Sequence, residues 1–186
     1  MKKLIQIALL GVALAQLQGC ATTSESGDSA GLDRRTAGTV VSDQEIEFRV
    51  MSRMSEAFPE KTGNITTVSY NRQVLLAGQV PNEAMRAQAA EIAKKVPEVR
   101  TVFNELTVSG VTSITSDIND MSITTTVKSR MLGDDKVPVT KIKVVTEAGI
   151  VYLMGLVTRA EAAAATNVAR TTSGVTKVVT LFEYID

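Results

Sequence analysis

The chain has 186 residues, with 20 Lys and Arg against 20 Asp and Glu, a single Cys, no His and no Trp. Without His or a second Cys, it lacks the residues for imidazole catalysis, for His-ligated or thiolate-cluster metal sites and for an internal disulfide. A formal net charge of zero argues against nucleic-acid binding, which needs a basic surplus. We therefore expect no metal, no other cofactor and no nucleic-acid partner.

The N-terminus has the features of an export signal. Lys2 and Lys3 precede an apolar run over residues 4–17, and these 14 residues are fewer than the roughly 20 that a spanning helix needs. The sequence Leu-Gln-Gly-Cys at 17–20 resembles the lipobox of bacterial lipoproteins, in which the thiol is acylated and Cys becomes the new N-terminus. We predict a lipoprotein signal peptide over residues 1–19 and lipidation of Cys20. The alternative is a signal peptide with an incidental Cys.

The segment after Cys20 contains a predicted sorting signal and a predicted linker. Position 21 is Ala rather than Asp, and by resemblance to enterobacterial-type sorting this favours transfer to the outer membrane, facing the periplasm. Residues 22–33 are small and polar and cannot form a core. We predict that residues 20–42 are the lipidated N-terminus and a flexible tether.

The remaining chain contains an internal repeat. A shift of 77 residues aligns 43–80 with 120–157 without a gap and gives 12 identical pairs in 38 positions. These pairs include Asp43/Asp120, Arg53/Arg130 and Gly78/Gly155. A one-residue adjustment continues the match toward the C-terminus. We predict two domains, residues 43–108 and 109–186, which are small enough that each should pack on the other.

Each repeat follows the order helix, strand, strand, helix, strand. Apolar residues recur every four positions in the first helix of both repeats, at 46, 50 and 54 and at 123, 127 and 131. Capping boxes are predicted at Ser42-x-x-Glu45 and at Thr158-x-x-Glu161. Alternating β-rich runs break at 71–72 and 148–149, where tight hairpins are expected, and the glycines inside strands suggest a close helix or a bulge.

This order predicts an α+β fold of two tandem αββαβ units. The first two strands of a unit form an antiparallel hairpin, and the second helix carries the chain to a third, parallel strand by a right-handed crossover. Each unit is then a three-stranded mixed sheet with two helices on one face.

The same motifs resemble the BON-domain family. They are Val-x-Leu-x-Gly-x-Val at 74–80 and 151–157, an Ala-rich helix, and a closing Val-x-x-Val at 99–102 and 175–178. With the lipobox, the chain resembles the dual BON-domain outer-membrane lipoproteins of Gram-negative bacteria. This resemblance implies a non-enzymatic, periplasm-facing protein that supports envelope integrity, binds anionic phospholipid through its second domain and is enriched at division sites.

The first helix of the second repeat offers a surface for such binding. Its outward arc consists of Met121, Ser122, Thr125, Lys128, Ser129 and Leu132. Lys128 and the hydroxyls would contact a phosphate of a phosphatidylglycerol-type lipid, while Met121 and Leu132 would enter the membrane. We assign Glu45, Glu47 and Glu56 to the equivalent arc of the first repeat, where they would repel anionic lipid. Arg130 repeats Arg53, so a structural ion pair or a helix-end interaction is expected for both.

Two other function classes are possible. A tethered, neutral protein with β-rich edges also suits an interaction adaptor for outer-membrane protein assembly or for peptidoglycan remodelling at the division site. An enzyme is disfavoured, because the sequence contains no convincing nucleophile motif, P-loop or carboxylate pair. We therefore predict no catalytic residues.

Overall fold

A computed structural model describes residues 33–59, 63–109 and 115–186, with side chains from residue 119 onward in the last range. The predicted signal peptide, Cys20 and the predicted tether up to residue 32 lie outside these ranges.

The first unit contains two helices and three strands. They are α1 (Ala37–Ala57), β1 (Asn64–Tyr70), β2 (Gln73–Val80), α2 (Glu83–Lys94) and β3 (Thr101–Val108). Strand β2 lies in the middle of the sheet, antiparallel to β1 and parallel to β3.

The second unit repeats this order. It consists of α3 (Thr115–Leu132), a short 3-10 turn (Val139–Lys141), β4 (Ile142–Glu147), β5 (Ile150–Val157), α4 (Arg159–Arg170) and β6 (Lys177–Tyr184). Strand β5 is central, antiparallel to β4 and parallel to β6. The predicted α+β architecture of two αββαβ units is confirmed.

The two hairpins turn where the sequence predicts. Asn71 and Arg72 have φ of 52° and 63°, and Ala148 and Gly149 have φ of 51° and 75°. Two successive left-handed residues are typical of a type I′ turn, whose twist matches that of the flanking strands. The register of both hairpins leaves only these two residues between the paired strands.

Each unit has its own core between its helices and one face of its sheet. In the first unit, Ile46 and Val50 of α1 pack with Leu76 and Leu106 of the sheet. In the second unit, Val127 and Met131 of α3 pack with the central strand β5. Both helices of a unit therefore cover the same sheet face, as predicted from the order of the elements.

The opposite sheet faces pack against each other. Tyr70 and Leu75 of the first unit and Tyr152, Met154 and Leu181 of the second belong to one buried cluster. Burial, with the negative charges of nearby glutamates, raises the pKa of Tyr152 to about 12. The layers are thus helices, sheet, sheet, helices, so α1 and α3 lie on opposite outer sides.

The first helix begins earlier than predicted. It starts at Ala37, and the hydroxyl of Thr36 accepts a hydrogen bond from the Thr39 N–H at 3.1 Å. The capping box predicted at Ser42 and Glu45 is wrong, because both residues lie inside the helix. Residues 37–42, which we assigned to the tether, form the first part of this helix.

The strand glycines are required by close backbone contacts. Gly78 has φ of 118°, and a Cβ there would lie 2.1 Å from the carbonyl oxygen of Asn64. A Cβ at Gly155 would lie 2.7 Å from the carbonyl oxygen of Lys141. The neighbour is the backbone of the first residue of β1 for Gly78 and of the residue just before β4 for Gly155, rather than the helix that we had considered.

Candidate functional site

A buried carboxylate holds the start of α3 against the second hairpin. Asp120 accepts hydrogen bonds from the N–H groups of Ala148 at 2.6 Å and Gly149 at 2.8 Å. Asp43 makes the same contacts with the turn of the first unit. The identical aspartates of the repeat are therefore structural, and they set the rotation of each first helix on its sheet.

An arginine holds the other end of α3. The Arg130 guanidinium donates to the hydroxyls of Thr172 at 2.7 Å and Thr171 at 3.2 Å, beside the end of α4. In the first unit, Arg53 donates to the carbonyl of Lys95 at 2.9 Å, at the end of α2. The helix-end role predicted for both arginines is confirmed.

With both ends held, α3 presents a narrow outer stripe. Met121, Thr125, Lys128 and Leu132 follow one another at spacings of four, three and four residues, which places them on one side of a helix. Met121 is 73% exposed and Leu132 is 74% exposed. At about 1.5 Å of rise per residue, the two apolar side chains begin roughly 16 Å apart along the axis.

The other predicted contacts lie beside this stripe. Ser122 and Ser129 are exposed on the same helix. The structure thus brings all six predicted residues to the outer surface of α3, four of them in line and two along one border.

The polar groups of the surface differ in their availability. The Thr125 hydroxyl donates to the carbonyl of Met121 at 2.9 Å, within its own helix. That hydroxyl therefore keeps only its acceptor capacity for a ligand. Lys128 makes no hydrogen bond or ion pair in the described part of the chain, and it is the one cation of the stripe.

A groove that the sequence did not reveal opens beside Ser122. It has a volume of about 490 Å³ and is lined by Asn119, Ile123, Gly149 and Gly174, among others. These residues come from α3, the β4–β5 turn and the loop before β6, so no single periodic pattern identifies them. Two features of the sequence analysis lie at this groove: the predicted hairpin break at 148–149 and the aspartate of α3 that repeats Asp43.

The equivalent surface of α1 is different in chemistry. Phe48 is 72% exposed and Met51 is 58% exposed at the positions that match Thr125 and Lys128. Glu45 forms an ion pair with Arg49 on the same helix. Our assignment of Glu47 to the outward arc is wrong, because its carboxylate turns toward the sheet and accepts the Ser69 N–H at 2.8 Å.

Within the described ranges, no cluster of acidic, His or Cys side chains is suited to hold a metal ion. The helices there are too short or too polar to cross a membrane.

Comparison with known proteins agrees with the internal repeat. The BON-domain family model matches residues 42–110 and again residues 119–186. The chain belongs to the BON-domain family. Helix α3 is accordingly the first helix of the second BON domain, and α1 is its counterpart in the first.

Three characterised relatives extend the comparison. The chain is 40% identical over 186 residues to "Outer membrane lipoprotein DolP" of Haemophilus influenzae, covering 97% of this chain and 96% of that protein. It is 36% identical over 155 residues to "21 kDa hemolysin" of Actinobacillus pleuropneumoniae, covering 83% and 80%. It is 28% identical over 171 residues to "Osmotically-inducible protein Y" of Escherichia coli, covering 90% and 85%.

These similarities confirm the predicted resemblance to dual BON-domain outer-membrane lipoproteins. They support a place for the protein in the outer membrane of the cell envelope. None of the three names is that of an enzyme.

Proposed function

We propose that this protein is a non-enzymatic lipoprotein on the periplasmic side of the outer membrane, where it supports envelope integrity and binds anionic phospholipid through its second BON domain. The observation that carries the proposal is the α3 stripe, in which Lys128, a cation without a partner among the described residues, lies between the exposed Met121 and Leu132. Enrichment at the division site is part of the proposal and rests on the family resemblance.

The stripe suits a helix that lies flat on a membrane. Met121 and Leu132 would enter the boundary between headgroups and acyl chains, while Lys128 binds a phosphate oxygen between them. Ser122 and Ser129 offer hydroxyls along one border. Because one Lys near an anionic surface contributes only about 1 kcal/mol, insertion of the two apolar side chains has to supply the remaining affinity.

With the predicted lipid anchor in place, a phospholipid site of low intrinsic affinity is sufficient for membrane binding. Residues 21–32 separate Cys20 from the first described residue, Asp33. Fully extended, that linker spans at most about 45 Å. An acylated Cys20 would hold Asp33, where the described structure begins, within this distance of the bilayer, so the two domains would stay close to the membrane and little intrinsic affinity is needed.

The first BON domain is the less suitable partner for anionic lipid. Its outer helix surface exposes Phe48 and Met51, but the cation of that surface, Arg49, is already paired with Glu45. The exposed Glu56 adds a negative charge near the end of α1. Since α1 and α3 lie on opposite outer sides of the molecule, they cannot both rest flat on the same stretch of membrane.

Vesicle co-sedimentation tests the proposal. The mature chain carrying Cys20→Ser should sediment with phosphatidylglycerol vesicles at low salt and much less with phosphatidylcholine vesicles. Lys128→Glu should abolish the difference. Lys94→Glu, which makes the same change of charge on α2 of the first domain, is the matched control and should bind like the parent chain.

Residue-level mapping adds a second criterion. Amide chemical shifts that change on adding phosphatidylglycerol should cluster on the exposed face of α3. Unchanged binding by Lys128→Glu, or shift changes confined to α1, would contradict the assignment of the second domain.

The adaptor function stays a prediction beside this proposal. The exposed side chains of Phe48 and Met51, which would face away from a membrane contacted by α3, favour a protein partner on that side. Crosslinking in cells from position 48 tests it, and recovery of no envelope protein would count against it.

A further inference from the structure

A second groove lies between α4 and β6, away from the α3 stripe. It has a volume of about 430 Å³; Arg159, Ala163, Thr166 and Arg170 line it from the helix and Thr180 and Tyr184 from the strand. We propose that this groove binds an extended acidic segment of a partner protein, which adds to β6 as a further strand. The inference does not depend on phospholipid binding.

The strand side of the groove is an open sheet edge. Strand β6 is the last of its sheet, and within the described ranges no strand pairs with its outer side. Alternate N–H and C=O groups of an edge strand point outward and can pair with an incoming chain. The side chains on both sheet faces are already packed: Val178 and Phe182 toward the helices, Val179 and Leu181 toward the first domain.

The helix side of the groove is basic. The Arg159 guanidinium lies 4.6 Å from the centre of the Tyr184 ring, and the Arg170 Nε donates to the Asn167 side chain at 3.3 Å. In the described part of the chain, neither guanidinium has a carboxylate partner. The nearby carboxylate of Asp186 accepts the backbone N–H of Arg159 at 3.1 Å rather than a guanidinium N–H.

The first domain provides an internal comparison, because the sequences of α2 and β3 align with those of α4 and β6 at an offset of 76 residues. At four helix positions the pairs are Glu83/Arg159, Arg86/Ala162, Glu91/Asn167 and Lys94/Arg170. The first domain therefore carries two acidic and two basic residues there, a net charge of zero. The second domain carries two basic residues and no acidic one, a net charge of +2.

The equivalent site in the first domain is also closed. Arg86 pairs with Glu83 at 3.3 Å, and Lys94 pairs with Glu91 at 2.9 Å. The Asn104 side chain, at the position of Thr180, donates to the Arg86 carbonyl at 2.9 Å and bridges helix and strand. The open basic groove is thus a property of the second domain rather than a consequence of the fold.

The spacing of the two arginines defines the ligand. Arg159 and Arg170 are about 16 Å apart along α4, from a rise of about 1.5 Å per residue. In a strand, residues i and i+4 face the same side about 13 Å apart, within reach of both guanidinium groups. Ala163 and Thr166 are small and leave space for the side chain at i+2. The preferred ligand is therefore a strand with carboxylates four residues apart.

A titration with a defined peptide tests this inference. The probe is Thr-Glu-Val-Thr-Val-Glu-Thr, blocked at both ends, added to the ¹⁵N-labelled mature chain carrying Cys20→Ser. Shift changes should be confined to α4 and β6 and should weaken as salt is raised. Arg159→Gln with Arg170→Gln should reduce the affinity at least tenfold. Arg86→Gln with Lys94→Gln, the matched change in the first domain, should leave it unchanged.

Two N-methylated forms of the peptide separate strand addition from simple charge attraction. Methylation of the amides that face β6 should abolish binding, whereas methylation of the alternate amides should preserve it. Equal binding by both forms, no binding of the parent peptide, or full binding by the double arginine variant would each overturn the proposal. Phosphatidylglycerol vesicles that shift the groove resonances instead of those of α3 would assign the groove to lipid and likewise overturn it.

Discussion

Arg34 and Glu161 form a bidentate ion pair that joins the segment before α1 to the first turn of α4. The two contacts measure 2.6 and 2.8 Å, and the same guanidinium donates to the carbonyl of Leu156 at 2.8 Å. The neighbouring Arg35 pairs with Asp43 of the first domain at 2.7 Å. Arg34 and Arg35, which we assigned to the tether from the sequence, are therefore attached to both BON domains.

Loss of the Glu161 charge should destabilise the protein in a pH-dependent way. The hydrogen bonds from Arg34 lower the pKa of Glu161 to about 2 from its usual value near 4.5. Its stabilising contribution is therefore present above about pH 4.5 and is lost as the pH falls toward 2. Glu161→Gln should cost about 1–2 kcal/mol at pH 7, by the usual strength of charge-assisted hydrogen bonds. Thermal unfolding of the variant and the parent chain at pH 7 and at pH 3 measures this cost, which should be smaller at pH 3.

The control for this experiment is Glu91→Gln, which breaks an exposed ion pair with Lys94. Such pairs contribute little, so this variant should unfold like the parent at both pH values. A Glu161→Gln deficit that is as large at pH 3 as at pH 7 would contradict the ion-pair explanation.

The two hairpin aspartates should differ in how much they contribute to the stability of the protein. Asp120→Ala removes two hydrogen bonds to the β4–β5 turn and should cost about 1–3 kcal/mol. Asp43→Ala should cost more, because Asp43 also accepts from the Ser69 hydroxyl and pairs with Arg35. Thermal unfolding of both variants checks the order. Asp135→Ala, in an exposed loop, should be neutral, and equal losses at the two aspartates would contradict the prediction.

Replacement of the strand glycines by alanine should destabilise the protein to different degrees. Gly78→Ala should be strongly destabilising, because its Cβ would overlap the backbone oxygen of Asn64 and the residue has a positive φ. Gly155→Ala meets a less severe contact at 2.7 Å and should cost less. Gly133→Ala, whose Cβ would have ordinary contacts at 3.6 Å and beyond, is the matched control. Melting temperatures that fail to follow this order would show that the adjacent backbone can move to make room for the added Cβ.

The apolar ends of the α3 stripe should contribute to membrane binding without contributing to stability. Met121→Ser combined with Leu132→Ser should lower binding to phosphatidylglycerol vesicles about tenfold, which corresponds to roughly 1.4 kcal/mol. The melting temperature should not change, because both side chains are mostly exposed. Phe48→Ser with Met51→Ser is the matched pair on α1 and should bind normally. Loss of binding in that pair alone would move the membrane contact to the first domain.

Several features followed directly from local patterns. The two units, the order of their elements and the two-residue turns are encoded in stretches of a few residues, where apolar periodicity and turn chemistry act. The capping box at Thr158 and Glu161 was correct, and both of its hydrogen bonds form. The equivalent pattern at Ser42 and Glu45 failed because Thr36 caps the helix earlier. A short polar motif is compatible with a helix start, but it does not exclude a start upstream.

Periodicity was enough to identify which side of each helix is buried, and it placed Met121, Lys128 and Leu132 on an outer surface. It could not show which charged groups remain unpaired, because their partners come from distant parts of the chain. Glu47 turns toward Ser69, Arg34 reaches Glu161, and Arg86 closes a groove that stays open beside Ala162. The chemistry of each surface is decided when separate elements meet, since a charge offers binding energy only where no neighbour has already neutralised it.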